Sequence, residues 1–321
     1  MRKTAKTATT TTTLSHIDGY HAQSDWAINY AFQGFRSNKY FTSDRYMQLD
    51  EHFRRADGKP LKGYGLEIET ECSGLSNSTV YAEVLEKIIF PHFPADLFKL
   101  QRDGSLGGDV SAECITQVMT KEFIRNQYAS CKMMYNTYFP AFGISCNSGR
   151  CGMHVNISNA CFGRSEATQA LAIRKLLYVV NHYFSLICAL TARDARRTQY
   201  CGRMDRFASK SACQQADLNN MPSSHYNCCN FSHFPEGRIE LRVVGGQKDF
   251  GQFRNTMESI FHLVEAVKTL KWEELDDVTK VFAGCNQYVY DRLKTLCYNA
   301  GTITRDQLTA IQPTVVHEEL L

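Results

Sequence analysis

The stretch Gly65-Leu66-Glu67-Ile68-Glu69-Thr70-Glu71 follows a Gly63-Tyr64-Gly65 turn and alternates carboxylates with apolar or β-branched residues. That alternation is the period of a strand. Successive side chains of an extended chain point to opposite sides, so Leu66 and Ile68 enter a core while the acids share the other face. Glu67 and Glu69 then stand about 7 Å apart. Two readings fit such a pair. It is either the wet face of an antiparallel sheet or a set of hard oxygen ligands for Mg²⁺ or Mn²⁺ carrying a phosphate.

Three later segments have the same character. In Val110 to Val118, an otherwise apolar strand reached through Asp103-Gly104-Ser105-Leu106, Glu113 needs a partner or a cation if it faces inward. In Cys151-Gly152-Met153-His154-Val155-Asn156-Ile157-Ser158, the residues His154, Asn156 and Ser158 alternate with Met153, Val155 and Ile157. An imidazole, an amide and a hydroxyl on one strand face make a line of ligands and donors, without the long charged residues of a solvated surface. A satisfied core histidine is the competing account of His154. In Gly237-Arg238-Ile239-Glu240-Leu241-Arg242-Val243, a carboxylate sits between two arginines on one face. Such a triplet holds a cation and phosphate oxygens together, or forms a salt-bridge ladder on a wet sheet.

Around these strands the chain reads as alternating strands and helices. Helical spacing covers about 79–90, stopped by Pro91, then 120–138, 166–190 with Ser165 as N-cap, and 252–270 opened by Asp249 and Gln252. Strand patterns cover 65–72, 97–102, 110–118, 153–158, 225–231 and 238–244, separated by hairpin-sized gaps. This order predicts an α+β domain on a mostly antiparallel sheet. Residues 1–15 lack large apolar side chains and read as a flexible tail. Residues 16–60 read as an extension packing on the main domain of 61–321, with Asp57-Gly58-Lys59-Pro60 as the boundary turn.

Composition excludes several classes. At 321 residues, 43% hydrophobic and 21% charged, the chain is an ordinary globular one, and no apolar run reaches membrane-spanning length. A net charge of +3 is too small, and too scattered, to predict nucleic-acid binding. The 13 cysteines form no C-x-x-C pair, which points to free thiols, and these together with the absence of an apolar leader at Met1-Arg2-Lys3-Thr4 point to the cytoplasm.

The succession G-x-E-x-E, D-G-S with a following glutamate, C-G-x-H-V-x-x-S and R-I-E-x-R resembles the amidoligase family, carboxylate-amine ligases similar to the glutamate-cysteine ligases and glutamine synthetase. The resemblance runs from about Leu61 to Val264. It implies a glutamine synthetase-like curved, mostly antiparallel sheet, with helices on its convex side and ATP with two or more Mg²⁺ ions, or Mn²⁺ in their place, on the concave one. It further implies Glu67, Glu69, Glu113, His154 and Glu240 as metal ligands. His154, Asn156, Arg238, Arg242 and Arg203 would contact the nucleotide phosphates, with Arg242, Arg203 and His154 serving catalysis. Asn156 stands where some relatives carry a second histidine. The substrates would be a small-molecule or peptide carboxylate and an amine.

Such chemistry explains the residue types. A carboxylate is a poor acyl donor until ATP converts it to an acyl phosphate, and both steps gather negative charge that metal ions and arginines stabilise. No nucleophilic side chain is needed. Two other readings use the same residues: a phosphotransferase on the scaffold shared by guanidino kinases, and a non-catalytic binding or structural protein. Glu71 receives no role, the resemblance places the Tyr226-Asn227 strand where the family has an active-site strand, and the polar Thr191-Ala192-Arg193 stretch reads either as a mobile substrate loop or as an ordinary connection.

Overall fold

The computed structural model describes residues 62–75, 78–94, 97–101, 106, 110–194, 199–221, 224, 226–300 and 302–314. The expectations for the tail and for the extension over 16–60 therefore lie outside the described residues, as does Asp103-Gly104-Ser105. Strands β1 (Tyr64–Cys72), β2 (Phe98–Gln101), β3 (Ser111–Thr116), β4 (Ile144–Ser145), β5 (Met153–Ser158), β6 (Cys229–Asn230) and β7 (Arg238–Leu241) form one open sheet. Their spatial order is β2-β3-β1-β5-β7-β6, with β4 pairing to one end of β1, and every neighbour is antiparallel.

Register sorts the side chains. Directly opposed residues of an antiparallel pair share a face. Glu69 faces Glu113, Glu67 faces His154, Asn156 faces Glu240 and Asn230 faces Glu240, so the polar groups of five strands fall on one side. On the other side Leu66, Ile68, Cys114, Met153, Val155, Ile157, Ile239 and Leu241 join one continuous core with the helices. Thr70 is the exception there. Its hydroxyl donates to Ala112 O at 2.8 Å and accepts from Tyr81 at 2.5 Å, so it is satisfied inside apolar surroundings.

The long helices Glu166–His182 and Phe250–Thr269 supply the core opposite the sheet. Ser165 closes a capping box with Thr168, and Asp249 accepts from Gln252 N, as their sequence positions predict. Three expected helices are interrupted. The 120–138 segment breaks at Gln127, the 166–190 segment at Tyr183, and residues Leu85–Ile89 and Met134–Tyr138 widen into π-turns. Tyr183 has a reason to break the helix, because its hydroxyl reaches Leu275 O at 3.0 Å. The expected 225–231 strand contracts to Cys229–Asn230, with Asn227 paired instead to Gly202 by an isolated parallel bridge. Gly63-Tyr64-Gly65 is not a turn: Tyr64 and Gly65 already belong to β1 and are paired with Ile157 and Asn156. Helices Gln287–Ala300 and Arg305–Ala310 complete the described chain. Among the described residues, no helix is long and apolar enough to cross a membrane.

Candidate metal centre

The acidic face of β1 is not wet. Glu67 and Glu69 are 5% and 6% exposed, and Glu113 is fully buried. Ionised groups cannot be held there without neighbours that replace water. Glu67 Oε1 accepts from Asn156 Nδ2 at 2.8 Å, and its Oε2 lies 3.1 Å from His154 Nδ1. Glu69 Oε2 accepts a short hydrogen bond from Gly152 N, and its Oε1 lies 3.6 Å from His154 Nε2. On β7, Glu240 receives Arg242 Nη1 at 2.6 Å on one oxygen and Asn230 Nδ2 at 2.8 Å on the other. The first of those oxygens is also 3.5 Å from His154 Nδ1.

His154 is thus the hub of the face. Its two nitrogens look toward three carboxylates, and Arg242 Nη1 approaches Nδ1 at 3.4 Å. A cation at this point would sit among carboxylate oxygens and an imidazole nitrogen, donors that bind divalent ions. Two donor groups have the required closeness, Glu67 with His154 and Glu240, and Glu69 with Glu113 and His154, each with ligand atoms within 4.8 Å of one another. All five residues are buried, and their oxygen and imidazole donors suit a hard or borderline divalent ion.

The electrostatics of β7 are those of a close pair. Burial alone would raise the Glu240 carboxyl, but the Arg242 guanidinium, with His154 and the Asn230 hydrogen bond, outweighs burial and the nearby Glu67 and holds it below the usual range. Burial would likewise lower Arg242, and Glu240, Glu67 and Glu69 hold it above. Both are charged at neutral pH. Arg238, 1% exposed, donates from Nη1 to Asn156 Oδ1 at 2.5 Å, so it orients the amide that in turn orients Glu67.

Eight of the nine expected site residues therefore meet on one face: Glu67, Glu69, Glu113, His154, Asn156, Arg238, Glu240 and Arg242. Arg203 does not join them. Its side chain is 43% exposed and its Nε lies 3.4 Å from Asp205 Oδ1. Glu71 also stays apart, paired at the rim with Arg150 Nε at 3.0 Å.

Three residues of the centre escaped the sequence reading. Gly152 donates its backbone N–H to Glu69, a role that no side-chain pattern announces. Asn230 belongs to a strand too short for periodicity. Arg193 anchors the end of β7, donating from Nη2 to Val244 O at 2.5 Å and to Arg242 O at 3.2 Å. The stretch expected as a mobile loop is therefore tied down over residues 191–193. Thr191 Oγ1 donates to Val243 O at 3.0 Å, and Ala192 takes a left-handed φ of 60°. No family model and no curated protein matches the chain.

Proposed function

We propose that the protein is an ATP- and Mg²⁺-dependent carboxylate-amine ligase on a glutamine synthetase-like sheet, as the resemblance to the amidoligase family implies. The observation that carries this reading is the pair of donor groups meeting at His154, with two arginines on the same buried sheet face. A structural ion-pair ladder would need one base per acid. Here β3, β1 and β7 contribute Glu113, Glu67, Glu69 and Glu240 against the guanidiniums of Arg238, Arg242 and Arg193, four acids to three permanent bases, an arrangement that favours added positive charge.

The donor chemistry fits divalent metal. Glu67, Glu240 and His154 would hold one ion, and Glu69 and Glu113 a second, with His154 between them. When bound, Mg²⁺-ATP would supply the phosphoryl group that activates a carboxylate as an acyl phosphate; attack of the amine on the acyl carbon would then form the amide and release inorganic phosphate. The chain's own residues do the rest. Arg242 faces the charge that gathers in both steps, Glu240 fixes its guanidinium in place, and the Arg238-Asn156-Glu67 relay fixes a metal ligand before substrate arrives. Burial lowers the local dielectric and strengthens each of these contacts.

Hydroxylamine trapping tests the reading. Incubation with ATP, Mg²⁺ and a panel of carboxylates should yield hydroxamate and ADP, and Glu67→Gln and Glu240→Gln should each remove turnover while the protein stays folded. Absence of both products across the panel would refute a ligase. A stable phosphorylated product without amide would point to phosphotransfer.

A further inference from the structure

The Thr191–Arg193 stretch supplies no ligand to the metal centre, yet it is built at a cost. Among the described residues Ala192 is the one non-glycine with a positive φ, at 60°, a conformation that alanine keeps only where its surroundings fix it. The half-buried Arg193 that follows reaches the end of β7 through a single nitrogen. Its Nη2 donates to Val244 O at 2.5 Å and to Arg242 O at 3.2 Å, while its Nε is buried and makes no hydrogen bond. The main chain adds to the hold, since Gly245 N donates to Thr191 O at 2.9 Å and Arg193 N to Cys188 O at 2.7 Å. Left-handed strain and a buried N–H without an acceptor are both unfavourable, so the position of this guanidinium answers to something besides its own hydrogen bonding.

The path from that guanidinium ends at one carboxylate. Val244 O also accepts Met153 N at 3.4 Å, and Gly152 pairs with Gly245. Gly152 in turn grips Glu69 at both ends: its carbonyl accepts Glu69 N at 3.1 Å, and its N–H donates to Glu69 Oε2. With Oε2 taken, Oε1 is the oxygen that faces His154 Nε2, at 3.6 Å. A Cβ on Gly152 would lie 2.9 Å from Arg193 Nη2 and 3.2 Å from Glu69 Oε2, which puts the guanidinium within about 6 Å of the carboxylate, close enough for attraction. Glu67 and Glu240, by contrast, are oriented by the side chains of Asn156, Asn230 and Arg242.

We propose that Arg193 is a positioning residue for one ion of the centre, the ion held by Glu69 and Glu113, and not for the ion held by Glu67 and Glu240. The inference rests on the metal-centre part of the ligase reading. Arg193 holds Val244 in place, Val244 and Gly245 hold Met153 and Gly152, and Gly152 presents Glu69 with one oxygen free. Orienting contacts behind a metal ligand set its affinity. The positive charge of Arg193 acts the other way, because it repels an arriving cation. Lysine separates the two effects: it keeps the charge, but its shorter stem and single nitrogen do not reproduce the planar approach to both carbonyls.

Mn²⁺ binding to the full chain without nucleotide, followed by the electron paramagnetic resonance of the free ion, tests the assignment in two backgrounds. Glu67→Gln leaves the ion at Glu69 and Glu113, and there Arg193→Lys should weaken Mn²⁺ binding by about tenfold. Glu69→Gln leaves the other ion, and there Arg193→Lys should change binding by less than about twofold. A merely structural tie would lower the Tm in EDTA and leave the difference between backgrounds at nil. Equal weakening in both, or no weakening with Glu67→Gln, would overturn the proposal. Should Arg193→Lys not fold, wild type still decides by hydrogen exchange. Mg²⁺ should slow exchange over 150–154 and over 188–193 together, and slowing confined to the first segment would count against Arg193. A wild type that takes up no Mn²⁺ removes the metal centre and this inference with it. Failure to form hydroxamate, with the Mn²⁺ pattern as expected, sinks the ligase alone.

Discussion

Glu69→Gln separates a metal centre from a structural ion-pair network, because the two accounts predict opposite signs for the metal-free protein. Glu69 faces Glu113 across β1 and β3, and their ligand atoms lie within 4.8 Å of each other. At an effective dielectric of 20, two unit charges at that distance repel by about 3.5 kcal/mol. The Arg242 guanidinium nearby offsets part of this repulsion, so removing one charge should gain roughly 1–2 kcal/mol. The substitution costs little elsewhere, since the glutamine carbonyl still accepts from Gly152 N. At about 2–4 °C per kcal/mol for a domain of this size, Tm in EDTA should rise by about 2–8 °C. Mn²⁺ should act in the other direction on the comparison. A saturating ion at a hundredfold excess over Kd stabilises the wild type by about 2.7 kcal/mol, an increment the variant should largely lose. Differential scanning fluorimetry with EDTA and with a Mn²⁺ series reads both effects. A variant that melts lower than wild type in EDTA, or one that gains as much from Mn²⁺, would refute the metal-centre argument.

Other parts of the fold carry their own tests. Glu258, 3% exposed, accepts Arg125 through two bonds, Tyr128 Oη at 2.8 Å and Asn286 Nδ2 at 2.7 Å, so Glu258→Ala should cost about 3 kcal/mol, seen as a lower urea midpoint at unchanged slope. His262 donates from Nε2 to Val281 O at 2.8 Å, and burial holds its pKa below the ordinary value. Its neutral form is the folded one, so its contribution is full above about pH 6.5 and declines as pH falls toward the folded pKa; urea titrations between pH 7.5 and 5.5 should show a steeper acid loss in wild type than in His262→Gln. A Cβ on Gly246 would lie 1.5 Å from Cys146 O, whereas one on Gly65 would meet nothing closer than 3.6 Å. Gly246→Ala should fail to give soluble folded protein, and Gly65→Ala should melt within a few degrees of wild type.

The sheet was legible because its strands alternate strictly. A period of two in β1, β5 and β7 assigned each side chain to a face before any pairing was known, and the register then needed only to align polar with polar. What alternation could not tell was whether that face met water. The decision lies in Asn156, Arg238 and Gly152, which occupy the places where solvent would otherwise solvate Glu67 and Glu69. Arg203 illustrates the limit of matching by order along the chain. The Gly202–Asn227 bridge brings its backbone beside the sheet, yet the side chain turns to Asp205. Helix breaks at Gln127 and Tyr183 were hidden for another reason, since both segments keep helical spacing across the break and a tertiary hydrogen bond, as from Tyr183, fixes the interruption.

The two ends of the centre are built differently, and the difference bears on how it would work. At Glu69 the orienting donor is a main-chain N–H, in a place where backbone approaches backbone: a Cβ on Gly152 would lie 2.9 Å from Arg193 Nη2 and 3.2 Å from Glu69 Oε2, and one on Gly245 would lie 2.2 Å from Ala192 O. That end cannot yield without moving β5, β7 and the Thr191–Arg193 anchor together. At Glu67 the orienting group is a side chain, Asn156, held by a second side chain, Arg238. Rotamers can adjust there by tenths of an ångström while the strands stay fixed. A ligand set with one rigid and one adaptable carboxylate can keep a resident ion in place at Glu69 and Glu113 and still accommodate a change of coordination at Glu67 and Glu240.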